Sequence, residues 1–131
     1  MIDLRPLRVE DYVRCVGVVD PWVDVDSTAR YGVAAWDGDL LVAAAGVLPY
    51  WAGVGEAWFS LGPDAQPRHH LAGVRRIRNF LALAQGRYRR IQADVSAGHR
   101  RWVELLGFRL ESEMPGYGPD GSTYYRYVRM A

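Results

Sequence analysis

The sequence predicts an α+β fold: a mixed, mostly antiparallel sheet of about six or seven strands flanked by three or four helices. Three observations carry this. Asp37-Gly38-Asp39 separates two apolar runs, residues 31–36 and 40–47, in the pattern of a β-hairpin. Residues 67–85 place Leu71, Val74, Ile77, Leu81 and Ala84 at helical spacing, which predicts a helix with one buried stripe. Short alternating runs resume after that helix, so it reads as a crossover between a first antiparallel set of strands and a second group. A chain of 131 residues is long enough for one sizeable core, and residues 1–131 are expected to form one domain.

Each element has a local signal. Residues 2–5 alternate briefly before Pro6 and predict a first strand. Residues 9–19 have mixed helical spacing, with Glu10 and Asp11 in the first turn, where carboxylates suit the helix dipole. Asp20-Pro21 breaks that run, and Asp26, Ser27 or Thr28 could cap a short second helix before Arg30. After the hairpin, Pro49 and the Gly53/Gly55 pair are expected to end the second arm. Residues 56–61 alternate again, with Ala57, Phe59 and Leu61 on one face and Glu56, Trp58 and Ser60 on the other. Pro67 suits the first turn of the main helix, and Gly86 its end. A strand over 88–95, a helix over 98–106 and a strand over 108–114 follow. A Pro/Gly-rich loop then leads to a closing strand over 122–130, rich in Tyr and Val.

Composition narrows the chemistry. No apolar run approaches the roughly 20 residues of a membrane helix, and the N-terminal residues lack a signal-peptide layout. Cys15 is the only cysteine, so an intrachain disulfide is impossible and a cytoplasmic setting is expected. Three histidines and one cysteine, with no ligand-like spacing beyond His69-His70, do not make a structural zinc site, and no metal is expected. Neither a Gly-x-Ser-x-Gly elbow nor a phosphate-binding Gly-Lys-Ser/Thr motif is present. Charge is uneven under a net +1: residues 1–66 carry four Arg and ten acids, whereas residues 67–101 carry nine Arg and only Asp94. Such a segment suggests an anionic ligand, or else a solvated face balanced by the acidic first half.

The stretch from His99 to Glu111 reads as a short helix, a stop at Gly107 and a strand from Phe108. With its Leu106-Gly107-Phe108 run after a helix bearing Trp102 and Glu104, it resembles the closing helix–strand unit of the GNAT N-acetyltransferase superfamily. The order of elements is similar to that family over nearly the whole chain. The resemblance implies an acyl-CoA cofactor, acetyl-CoA or another, held by the fourth strand and the following helix. In the family a loop of the form Gln/Arg-x-x-Gly-x-Gly/Ala wraps the pyrophosphate with backbone amides, as free N–H groups at a helix start favour an anion. Here that loop aligns with Gln66-Pro67-Arg68-His69-His70-Leu71. Gln66 fits, but His69 and Leu71 stand where small residues belong, and Pro67 removes a donor. Arg68, His69 and His70 are then expected to hold phosphate by side-chain charge and hydrogen bonds. The thioester carbonyl falls to a backbone N–H near Leu61 and Gly62.

The same alignment puts Ser96 at the position of a cofactor-contacting Asn, His99 at that of an Ala, and Val103 where the family's proton-donating Tyr stands. Val103 cannot donate a proton. Glu56 or Asp94 could take the proton of the amine; His99 could be acid, base or substrate contact; Tyr117, Tyr124 and Tyr125 are proton-donor or substrate-wall candidates. The expected function is acyl-CoA-dependent N-acyl transfer to a primary amine of a small molecule or protein. The alternative is a catalytically inactive GNAT-fold binding or assembly protein, since the chain also resembles short GNAT-like proteins of tailed bacteriophages with an eroded loop and a Trp in the last helix. Nucleic-acid binding through Arg75, Arg76, Arg78, Arg87, Arg89 and Arg90 is disfavoured, because no regular aromatic partners accompany them. A homodimer through the C-terminal strands, with Tyr124, Tyr125 and Tyr127, follows only from the resemblance.

Overall fold

The computed structural model describes all of residues 1–131 and holds seven strands and four α-helices. In chain order these are β1 (Ile2–Pro6), α1 (Val9–Val16), α2 (Val25–Arg30), β2 (Gly32–Asp37), β3 (Leu40–Trp51), β4 (Val54–Leu61), α3 (His70–Ala84), β5 (Arg90–Ser96), α4 (Arg100–Leu105), β6 (Arg109–Met114) and β7 (Tyr124–Met130). The strand order is β1-β2-β3-β4-β5-β7-β6. Strands β1–β2, β2–β3, β5–β7 and β6–β7 pair antiparallel, whereas β4 and β5 pair in parallel. This is the predicted α+β class. No helix is long and apolar enough to cross a membrane.

The chain divides into two compact units. The first comprises residues 1–48 and 57–79. Its sheet buries both faces. On one, Tyr12 of α1 meets Trp58 of β4 edge to face, at 5.3 Å between ring centroids, among Leu7, Ala29, Ala34, Trp36, Leu41 and Ala44. On the other lie Ile2, Ala35, Val42 and Ala43, with Phe59 packed against them. The alternation expected for Glu56–Leu61 is therefore real: Trp58 and Phe59 enter different clusters. Small residues make room for the indole. A Cβ at Gly46 would stand 2.7 Å from Trp58 Nε1, and one at Gly32, paired with Gly46, 3.2 Å from its Cζ2.

The second unit comprises residues 49–56 and 80–131. Its core holds Leu81, Ile91, Ala93, Val103, Leu106, Phe108, Tyr127 and Val128. The helix–Gly–strand corner forms as expected. Gly107 takes φ 95°, its N–H donates to Glu104 O (3.1 Å), and Phe108 N donates to Val103 O (3.0 Å), which closes the last turn of α4. Phe108 is buried, and β6 begins one residue later.

Several expectations are corrected. Helix α1 stops at Val16 because Gly17, at φ 78°, caps it by donating to Val13 O (2.8 Å), three residues before the expected break. Helix α2 is capped by Asp24, whose carboxylate accepts from Ser27 N (3.2 Å), and not by Asp26, Ser27 or Thr28. Pro49 does not end β3, which runs on to Trp51; the turn comes at Gly53, with φ 84°. In the main helix Ile77 and Leu81 are buried, each contributing about 2 kcal/mol, but Leu71 is 64% exposed. The stripe starts from His70 and runs through Val74, so Leu71 lies one position off it. Residues 67–69 and 85–87 form 3-10 turns at either end of α3.

Candidate active site

In the second unit, strand pairing decides which side chains share a face. Glu56 lies opposite Gln92, Asp94 opposite Arg126, and Ser96 opposite Tyr124, so all six point to one side. The other side of β5 and β7 is the one covered by helix. There Tyr127 is fully buried, accepts from Arg100 Nε (3.0 Å) and donates to Glu104 Oε2 (2.7 Å), while the Arg100 guanidinium lies 4.0 Å over the Tyr125 ring. Tyr127 is thus withdrawn from any subunit contact, contrary to the expectation of a C-terminal dimer surface that included it.

The polar face gathers a carboxylate–tyrosine cluster. Tyr50 OH donates to Glu56 Oε2 across the tight β3–β4 turn. Partial desolvation of its hydroxyl end, then the bond to Glu56 and its charge, push the Tyr50 phenol well above the usual tyrosine range, so it stays protonated although the side chain as a whole is 45% exposed. Asp94 is held by Arg126 in a two-pronged pair, Nε–Oδ1 2.8 Å and Nη2–Oδ2 3.0 Å. Tyr117 OH also donates to Asp94 Oδ2, at 3.4 Å, and its ring lies 5.8 Å from that of Tyr124. The Tyr117 phenol is raised, chiefly by the charge of Asp94. The two carboxylates left open by sequence are now distinguished. Asp94 is neutralised by a guanidinium; the hydrogen bond on Glu56 comes from a neutral phenol, so its negative charge is uncompensated. Trp51 stacks against Tyr50 at 5.7 Å and is mostly exposed.

Two sequence candidates at the start of α4 also come together. Ser96 Oγ lies 3.1 Å from His99 Nδ1, and His99 is exposed at the end of a 3-10 turn, residues 97–99. Val103 is buried in the core, as an apolar residue at that helical position should be.

In the first unit, the loop before α3 turns inward. Asp37, the last residue of β2, accepts from Met1 N (3.2 Å), Arg68 Nη1 (3.1 Å) and His69 Nε2 (2.9 Å). His69 is 3% exposed. Its Nδ1 accepts from Gln66 N (3.1 Å), so the ring proton sits on Nε2 and is donated to Asp37. These partners, His69 foremost, hold the Asp37 carboxyl at about 2, well below the usual range. His69 N donates to Gln66 O and His70 N to Pro67 O. Leu61 ends β4 on the surface, and Gly62 N donates to Val42 O (2.6 Å), where a side chain would run into the Leu41 carbonyl. Gln66, Arg68 and His69 are therefore brought together as expected, but around an internal carboxylate.

Sequence reasoning passed over Tyr50, Arg126 and Asp37. A tyrosine six residues before a glutamate, spanning a Gly-containing turn, is a usable signal for the first. The Asp94–Arg126 and Asp37–His69 partners are 32 residues apart in the chain and leave no local mark.

No protein-family model matches the sequence, and no curated protein matches it. Solved structures do match. Ard1 from Thermoplasma volcanium superposes with a TM-score of 0.75 at 15% identity, covering 99% of this chain and 97% of that one. An acetyltransferase of the GNAT family from Bacillus anthracis gives 0.70 at 14% identity, covering 98% and 94%. A mutant of the spermidine N-acetyltransferase SpeG from Vibrio cholerae gives 0.73 at 14% identity, covering 98% and 93%. At such identities the likeness is one of fold. The chain has the fold of the GNAT acetyltransferases.

Proposed function

We propose that this protein is an N-acyltransferase that moves an acyl group from a thioester donor of the acyl-CoA type to a primary amine, with Glu56 as the proton acceptor. The observation that carries this reading is the unneutralised Glu56 carboxylate, fixed by the Tyr50 hydroxyl on the sheet face opposite the helix-covered one. An amine arrives as an ammonium and must lose a proton before its nitrogen can attack. A carboxylate held in place, with no cation paired to it, suits that task. The nitrogen then forms a bond to the thioester carbon and sheds its second proton as the C–S bond breaks, so that the net proton released is the one held by Glu56, while the departing sulfur takes up one proton. Tyr124, beside the still-protonated Tyr117, is assigned to that step. His99, linked to Ser96, remains the other acid within the unit. The aromatic surface of Tyr50, Trp51, Tyr117 and Tyr124 supplies a wall for the amine's apolar part and π-faces for its charge.

Thiol release from acetyl-CoA against a panel of amines tests the reading. Glu56→Gln should lower kcat by about 10²–10⁴, the range for losing a general base, with unchanged thermal unfolding. Full activity in that variant would remove Glu56 from the mechanism.

A second reading, a non-catalytic GNAT-fold binding or assembly protein of the kind the sequence resembles in tailed bacteriophages, is favoured by the inward-turned loop and by Val103. Absence of thiol release with every amine, while acetyl-CoA or an amine still binds, would select it.

A further inference from the structure

The start of a long helix is ordinarily a place for anions, because its first N–H groups lack partners within the helix. The start of α3 does not offer this. Among residues 66–70, Gln66 N is given to His69 Nδ1, Pro67 has no N–H, His69 N is given to Gln66 O, and His70 N to Pro67 O. Only the amide of Arg68 is left. The side-chain donors are also committed. The Arg68 guanidinium and the neutral His69 ring both reach the same oxygen of Asp37, and the terminal ammonium of Met1 takes the other. The groups that would meet a donor's diphosphate there are thus already engaged within the chain, the amides by the turn itself and the Arg68 guanidinium by the Asp37 carboxylate. His69 is buried, so this arrangement is part of the core and not a surface accident.

We propose that Asp37 sets donor specificity by acting as a built-in anion at the start of α3, so that the acyl donor is held through its pantetheine arm and not through its diphosphate. The inference rests on the acyl-transfer reading above. It names the donor class as acyl-pantetheine thioesters in general, whether or not a nucleotide is attached.

Two measurements test it. The first is calorimetric titration of the wild-type protein and of Asp37→Asn with inorganic pyrophosphate. The second compares kcat/KM for acetyl-CoA and S-acetylpantetheine, read by thiol release. Asp37→Asn keeps an oxygen for His69 while removing the charge, so the fold has the best chance of surviving. Expected are no binding of pyrophosphate by the wild type at millimolar concentration, and binding at least about tenfold tighter in Asp37→Asn, the scale of one charge-assisted hydrogen bond. The two donors should give wild-type kcat/KM values within about threefold of each other, a ratio below that of one such bond. Binding of pyrophosphate by the wild type would overturn the proposal. So would a wild-type preference for acetyl-CoA of more than about tenfold, or a folded Asp37→Asn protein that gains no pyrophosphate affinity. Should the variant fail to fold, the two wild-type measurements decide. Should neither donor release thiol, the acyl-transfer reading fails, and the wild-type pyrophosphate titration alone decides whether Asp37 fills the anion position.

Discussion

Replacing Arg126 by Ala would withdraw both donors from Asp94, whose side chain is only 7% exposed. Removing one partner of a fully buried pair costs about 3–5 kcal/mol, because the other charge is left unpaired in a poor solvent. The Arg126 side chain is 31% exposed, so water reaches part of the vacated space and the expected loss is smaller, about 2 kcal/mol. The mirror change, Asp94→Ala, strands an arginine that can turn outward, and its expected loss is about 1 kcal/mol. The asymmetry is the point, since a pair that were merely superficial would give two small, equal losses. Tyr117 supplies a second reading of the same charges. Asp94 raises its phenol and Arg126 lowers it, so Arg126→Ala should move the Tyr117 ionisation further up and Asp94→Ala should bring it back toward an ordinary tyrosine. Urea unfolding followed by circular dichroism gives the first quantity. Ultraviolet titration, differenced against Tyr117→Phe in each background, gives the second. Equal stability losses, or Tyr117 shifts of the opposite sign, would refute the assignment of Asp94 as a buried, arginine-neutralised carboxylate.

Other outcomes follow from single features. Asp37 has a folded-state pKa of about 2 against 3.8 for an unperturbed carboxyl, so its contribution is complete above about pH 4 and is lost as pH falls toward 2. Melting temperatures of the wild type should therefore drop across that window more steeply than those of Asp37→Asn. Burial pushes the Cys15 thiol up to about 11 from 9.0, so alkylation of the native protein near neutral pH should be about a hundredfold slower than for an ordinary thiol, the ratio of the two thiolate fractions. Mass spectrometry of iodoacetamide-treated native and urea-unfolded protein measures this. Gly46→Ala would bring a methyl group against Trp58 Nε1 and the Tyr31 carbonyl, and should cost about 1–3 kcal/mol in denaturant unfolding.

Local chemistry made much of the fold legible. The Asp37-Gly38-Asp39 turn, the Gly107–Phe108 corner and the strand alternation around Trp58 and Phe59 each depend on residues within a few positions of one another, and each formed as expected. Element ends were less legible where two signals competed. Pro49 reads as a strand breaker, yet it lies in an exposed part of β3 where its missing N–H does no harm, and Gly53 sets the turn. Leu71 looks like the first rung of the α3 stripe, but a shift of one position along a helix turns a side chain by about 100° and carries it into solvent. The candidate site was legible residue by residue and not as an arrangement. Glu56, Asp94, Tyr117 and Tyr124 were all nameable in advance, whereas the pairing of β5 with β7 brings Arg126 to Asp94 and so separates the neutralised carboxylate from the free charge.

The basic segment shows why summed charge is a weak guide to a ligand. Residues 67–101 contain nine arginines, and the sum suggests a single anionic partner. In the structure the charges are dispersed over unrelated tasks. Arg68 serves Asp37, Arg89 donates to the Ala52 carbonyl (3.0 Å), Arg90 pairs with Glu111 (2.6 Å), and Arg100 holds Tyr127 and covers Tyr125. Arg75, Arg76, Arg87 and Arg101 are exposed, and the first two are adjacent on α3, so their side chains diverge by about 100°. What remains outward-facing is therefore scattered, and salt screens scattered surface charges within about 10 Å. A patch that gripped a polyanion would need several of these cations on one face with their partners elsewhere. Instead the partners are already inside the chain, and the donor most fully withdrawn from solvent in the loop before α3 is the neutral His69 ring, which gives its Nε2 proton to Asp37.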